Sequence, residues 1–134
     1  MADGIYNAWK GAIGDGTIDW TTADLRVKLV TSSTFDPDDA TIGAVTFQEP
    51  TDESYSEQSL ANATVTVDND GDLAVYDVDD VEFGELGGDE TVVGYIVYDG
   101  ATDVPVCHVD SVGDRTLQGD PFTLEFPDGV VAIQ

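Results

Sequence analysis

Apolar and charged residues alternate in Leu25-Arg26-Val27-Lys28-Leu29 before Val30 closes the run. Successive strand side chains point to opposite faces, so the pattern predicts a half-buried strand over 25–30. The same alternation returns in Ala63-Thr64-Val65-Thr66-Val67 and in Leu73-Ala74-Val75-Tyr76. Between them, Asp68-Asn69-Asp70-Gly71-Asp72 is a polar turn with a glycine, and the unit reads as a β-hairpin. Val81-Glu82-Phe83, Thr91 to Tyr98, Val104 to Val109, Phe122 to Phe126 and Val130 to Ile133 are further short strands, separated by Gly, Asp and Pro. Only Ile5 to Ile13 carries a helical period: Ile5, Trp9 and Ile13 are spaced by four and share a face, and Gly14 and Gly16 then end the run. The polar stretch from Thr31 to Glu57, with the turn Asp36-Pro37-Asp38-Asp39, reads as a long surface connection.

About eight short strands without crossover helices favour a mostly β fold, an antiparallel β-sandwich or jelly-roll-like barrel with a short N-terminal helix. A chain of 134 residues matches one domain, 1–134, in which residues 1–20 form a helical segment and docking arm. Neither an internal repeat nor a coiled-coil heptad is present.

Charge changes the picture. Against 28 acidic residues stand only Lys10, Arg26, Lys28 and Arg115, for a net charge of −24. Hydrophobic residues still make up 41% of the chain, so the acidity does not imply disorder. The folded surface expected from the mass is roughly 6,800 Å², or about one net charge per 280 Å². Unscreened, this repulsion amounts to roughly tens of kcal/mol, comparable to or above the ~5–15 kcal/mol by which domains are stable, although unfolding relieves only part of it. Molar salt shortens the Debye length to ~3 Å and removes most of that repulsion. The composition is that of a protein working in very high salt. It also excludes a nucleic-acid partner, which would need clustered Lys and Arg. No stretch approaches the ~20 apolar residues of a membrane span, and the N-terminus lacks a signal pattern.

The candidate chemistry is sparse. Cys107 lies in an apolar run and reads as packed. His108 reads as a strand residue facing solvent or a neighbour, with Ser111 the nearest hydroxyl in sequence. Neither a Gly-x-Ser-x-Gly elbow nor a His-Glu-x-x-His helix occurs, and a carboxylate pair carries no information among so many acids. Asp68 to Asp72 has a calcium-loop flavour, but strand-like flanks and Asp79 at the twelfth position favour a plain turn. Trp9 and Trp20 read as core or interface residues before a sugar platform. No catalytic residue, cofactor or metal is assigned. The candidate protein contact is Ile5, Tyr6, Trp9, Lys10 and Ile13, because no acidic residue lies between Gly4 and Gly14.

Met1-Ala2-Asp3-Gly4-Ile5-Tyr6-Asn7-Ala8-Trp9-Lys10, Gly16-Thr17-Ile18-Asp19 and Leu25 to Ser33 are followed in order by Leu60 to Asp68, Asp77 to Val81, Gly94 to Asp99, Phe122 to Phe126 and Gly129-Val130-Val131. This order of phrases resembles a family of small structural proteins of tailed phages. Trp20 and the stretch Thr41 to Tyr55 depart from the family's pattern. The resemblance implies a non-enzymatic virion component made in the host cytoplasm, and the acidity implies a virus of an extreme halophile. A capsid decoration or cement subunit is the role expected, with other virion proteins, the major capsid protein first, and further copies of itself as partners. The alternatives are a tail or fibre component contacting the host and, from another class, a carbohydrate-binding β-sandwich module.

Overall fold

The computed structural model describes residues 3–110 and 113–133. In chain order these form β1 (Gly4–Ile5), α1 (Asn7–Asp15), β2 (Leu25–Val30), β3 (Ser32–Thr34), a 3-10 turn (Ile42–Ala44), β4 (Thr46–Gln48), β5 (Gln58–Ser59), β6 (Thr64–Asp68), β7 (Leu73–Asp77), β8 (Val81–Leu86), β9 (Thr91–Val92), β10 (Gly94–Asp99), β11 (Val104–Val109), β12 (Arg115–Thr116), β13 (Asp120–Leu124) and β14 (Val131–Ile133). With 43% strand and 9% helix, the chain is mostly β and sandwich-like, as its alternation predicts.

The largest sheet has the order β1-β11-β10-β2-β5, and every pairing in it is antiparallel. Leu25, Val27 and Leu29 of β2 and Tyr95 and Val97 of β10 face a large core. Phe83 and Leu86 of β8, Phe122 and Leu124 of β13, Val131 of β14 and Trp9 of α1 close over it. A second layer is thus supplied by the β8-β13 pair and the β14-β7-β6 sheet. A register shift between β10 and β11 puts Val106 beside Cys107 in this same core, as a bulge does when two residues oppose one. Where β10 begins, a Cβ on Gly94 would lie 1.9 Å from the Val109 carbonyl oxygen, so only glycine permits that approach of two backbones.

Two sequence expectations need correction. The helix starts at Asn7, because Gly4–Ile5 pairs with β11 and extends the main sheet instead. The stretch from Thr31 to Glu57 is not a plain surface connection. It contains the β3-β4 hairpin, which folds Phe35, Ile42, Val45 and Phe47 over the outer face of the main sheet against Tyr6, Val30 and Ile96. Those apolar residues follow no strand or helix period along the sequence, and they come together only when the hairpin closes. Several of the fourteen described strands are two or three residues long, too short for alternation to register, which is why about eight were expected.

Candidate interaction surfaces

The predicted contact segment divides into buried and accessible residues. Ile5 is half-buried and paired with Cys107. Tyr6 is fully buried, edge-on to Phe35 at 5.0 Å between ring centroids, and burial drives its hydroxyl pKa upward. Trp9 is fully buried too, with T-shaped contacts to Trp20 at 5.9 Å and Tyr76 at 5.3 Å. Neither the Tyr6 hydroxyl nor the Trp9 indole N–H finds a hydrogen-bond partner among the described residues. Tyr6 and Trp9 therefore belong to the chain's own interior and offer nothing to a neighbour, which corrects the docking-arm expectation for these two. The cause is the short helix itself: nine residues with Gly11 and Gly14 hold little helicity alone, so α1 depends on seating its apolar side. Lys10 is exposed, with Nζ 3.4 Å from Asn7 Oδ1. Ile13 is half-buried and, with Ile18, Trp20, Val65 and Tyr76, lines a surface cleft of about 360 Å³.

The outer face of the main sheet carries the polar groups. Lys28 Nζ donates to Glu57 Oε1 at 2.7 Å and lies 3.4 Å from Glu49 Oε1. Arg26 reaches Asp24 at 2.8 Å and Glu57 at 3.3 Å. The Tyr98 hydroxyl donates to Glu57 at 2.6 Å, and the Tyr55 hydroxyl to Glu49 at 2.7 Å. Burial by itself would raise the Glu57 pKa, but hydrogen bonds from Lys28 and Tyr98, the Lys28 charge and the Arg26 hydrogen bond outweigh it and hold the carboxyl below its ordinary value. The alternation that makes β2 a strand thus also sets its two cations side by side among acids that neutralise them.

His108 is buried, at 3% exposure, so of the two expected placements, facing solvent or facing a neighbour, it takes the second. Its Nε2 lies 2.6 Å from Ser33 Oγ, and its ring stacks on Phe35 at 5.8 Å. Phe35 reaches this position because residue 4 is glycine: a Cβ there would come within 2.5 Å of the Phe35 ring. Desolvation lowers the imidazole pKa, and the charges of Asp110 and Asp3 pull the other way without reversing it. Ser111, the nearest hydroxyl in sequence, lies outside the described residues. Cys107 is wholly buried, as its apolar setting predicts, and burial pushes its thiol up to about 12.

Asp99, 2% exposed, escaped sequence reasoning among so many acids. Its carboxylate accepts hydrogen bonds from the backbone N–H groups of Asp24 at 3.2 Å, Ala101 at 3.4 Å and Thr102 at 3.2 Å, and from the Thr102 hydroxyl at 2.5 Å. The Asp68-Asp72 stretch is the expected hairpin turn, in which Asp68 Oδ1 accepts from the backbone N–H of Asp70 and of Gly71, each at 3.1 Å. Among the described residues no group of three or more His, Cys, Asp or Glu is arranged to hold a metal ion.

β6 is the outermost strand of the β14-β7-β6 sheet, and all five of its residues are exposed. Among the described residues its Val65 and Val67 are the exposed large hydrophobics, at 43% and 68%.

No protein-family model matches the chain, no curated protein matches it, and no solved structure matches it. Function is therefore read from the chain's own residues and their placement.

Proposed function

We propose that the chain is a non-enzymatic structural protein of the virion of a halophilic tailed virus, and that it serves as a capsid decoration or cement subunit held on the major capsid protein. The observation that carries this reading is the ordered series of residue phrases from Met1 to Val131 that resembles small tailed-phage structural proteins. The fold agrees with it: a small sandwich-like domain whose first and last described strands, β1 and β14, are both paired into sheets suits a part used in many copies. Its buried polar groups also find their partners within the chain in the main, with Asp99 capping a turn and His108 meeting Ser33. The carbohydrate-binding alternative loses support from Trp9 and Trp20, which meet each other and Tyr76 edge-on, lie buried in the core and present no open platform for a sugar ring.

Rebinding tests the decoration role. Purified particles are depleted of loosely held protein and mixed in molar salt with the labelled chain, then sedimented. Saturable co-sedimentation at a fixed ratio to the major capsid protein is expected. A label that stays in the supernatant at every concentration contradicts the decoration role.

A further inference from the structure

β6 stands out among the described residues, because it carries the exposed large hydrophobics Val65 and Val67. Gln58 to Val67 is a run of ten residues without Asp, Glu, Lys or Arg, the longest in a chain of net charge −24. Its pairing with β7 is unbroken from Thr64 to Asp68, and no strand among the described residues covers its other edge. Soluble proteins blunt such edges with lysine, proline, a bulge or a covering loop, because an open row of N–H and C=O groups recruits another strand. β6 carries no lysine, proline or bulge: its sequence is Thr-Val-Thr-Val-Asp, all five residues are exposed, and its two valines stand on one face, two residues apart.

We propose that this edge is a self-association surface, on which two copies of the chain pair β6 to β6, antiparallel, about a twofold axis at Thr66. The register selects a second copy as the occupant. Centring the axis on Thr66 sets Val65 of each copy opposite Val67 of the other, so that both exposed valines of both copies meet on one face. Asp68 then stands opposite Thr64, and the acidic tip that follows runs out past uncharged Ala61 and Asn62. No carboxylate of the strand faces another. Parallel pairing in register would set Asp68 against Asp68, and elsewhere on this surface two like-charged copies would meet carboxylates. Val65 also lines, with Ile13, Ile18, Asp19, Trp20 and Tyr76, the cleft of about 360 Å³ on its own copy. Pairing joins the two β14-β7-β6 sheets into one continuous sheet and closes both edges. This inference stands apart from the virion reading, since it depends only on the edge and its charges.

Sedimentation velocity in about 2 M KCl, where screening is short-ranged, reads the association directly. The unaltered chain is expected to sediment at twice its 14.2 kDa mass and to dissociate on dilution. Val67→Glu, at a site too exposed to disturb the fold, is expected to raise the dissociation constant at least tenfold with an unchanged circular dichroism spectrum. Thr66→Cys reports the register: mild oxidation should link two copies through residue 66, whereas Thr34→Cys, on exposed β3, should stay unlinked. A chain that remains monomeric up to millimolar concentration, or a dimer indifferent to Val67→Glu and unlinked through residue 66, overturns the proposal. A monomer whose β6 becomes protected only on a particle would overturn it too, and would assign the edge to another virion protein.

Discussion

Ser33 Oγ lies 2.6 Å from His108 Nε2, although the two residues are 75 apart in the chain. The contact ties the β3-β4 hairpin to the main sheet, and the stacked Phe35 ring shields it from water. A histidine desolvated in this way is neutral when folded, and its folded pKa lies below the ordinary value of 6.5. Above pH ~6.5 neither the folded nor the unfolded chain protonates it, and its contribution to stability is complete. As pH falls from ~6.5 toward the folded pKa, the unfolded chain takes up a proton that the folded chain refuses. Stability is then lost at up to ~1.4 kcal/mol per pH unit. Asp3 and Asp110 narrow that window by favouring the imidazolium. In molar salt, the stability difference between the unaltered chain and His108→Gln should shrink from pH 7.5 to pH 5. A difference independent of pH would mean that the imidazole is not desolvated.

The burial of Trp9 has an equally direct consequence. Trp9→Ala removes a fully buried indole that touches Trp20 and Tyr76, and should cost about 3–5 kcal/mol. Lys10→Ala, one residue on but exposed, should change stability by less than ~0.5 kcal/mol. Chemical unfolding of the two variants checks both values. Equal, small effects would return the N-terminal segment to the role of a free docking arm.

Much of the scaffold was legible because it is local. Alternation in Leu25 to Val30 and the glycine-containing turn after Val67 each lie within a few residues, and both elements stand where the pattern puts them. The contact segment was legible only in part. The spacing of Ile5, Trp9 and Ile13 marks an apolar side, but it does not say whether that side meets the chain's own sheet or another molecule. Pairing of Gly4–Ile5 with β11, from the far end of the sequence, decided the matter for Tyr6 and Trp9. Phe35 over His108 depends on the same distant pairing and on the absence of a Cβ at residue 4. The β6 edge was hidden for the opposite reason: Val65 and Val67 read as half-buried because alternation cannot tell a covered strand from an open one.

Salt dependence should follow from the surface itself. The folded area is 6807 Å², close to the value expected from the mass, so the net charge of −24 is spread at about one per 280 Å². Lowering NaCl from molar to about 0.1 M lengthens the Debye length from ~3 to ~10 Å and exposes each charge to its neighbours. Low salt also strengthens the pairs made by Lys28 and Arg26, but partly exposed pairs contribute only ~0–1 kcal/mol each and do not offset the repulsion. The melting temperature, followed by circular dichroism across a dialysis series, should fall steadily as salt is withdrawn. A constant melting temperature would separate the acidity from any stabilising role of salt.

The proposal that this chain is a repeated part of a virus particle meets its most direct test in the particles themselves. Quantitative mass spectrometry of virus particles, gradient-purified from a culture that expresses the chain, gives its copy number relative to the major capsid protein. A decoration subunit should be present in a fixed ratio near one copy per capsid protein or per capsomer, and should remain with the capsid when tails are sheared off. A chain found only in the soluble fraction of the lysate, or at a few copies that leave with the tails, would contradict the decoration role.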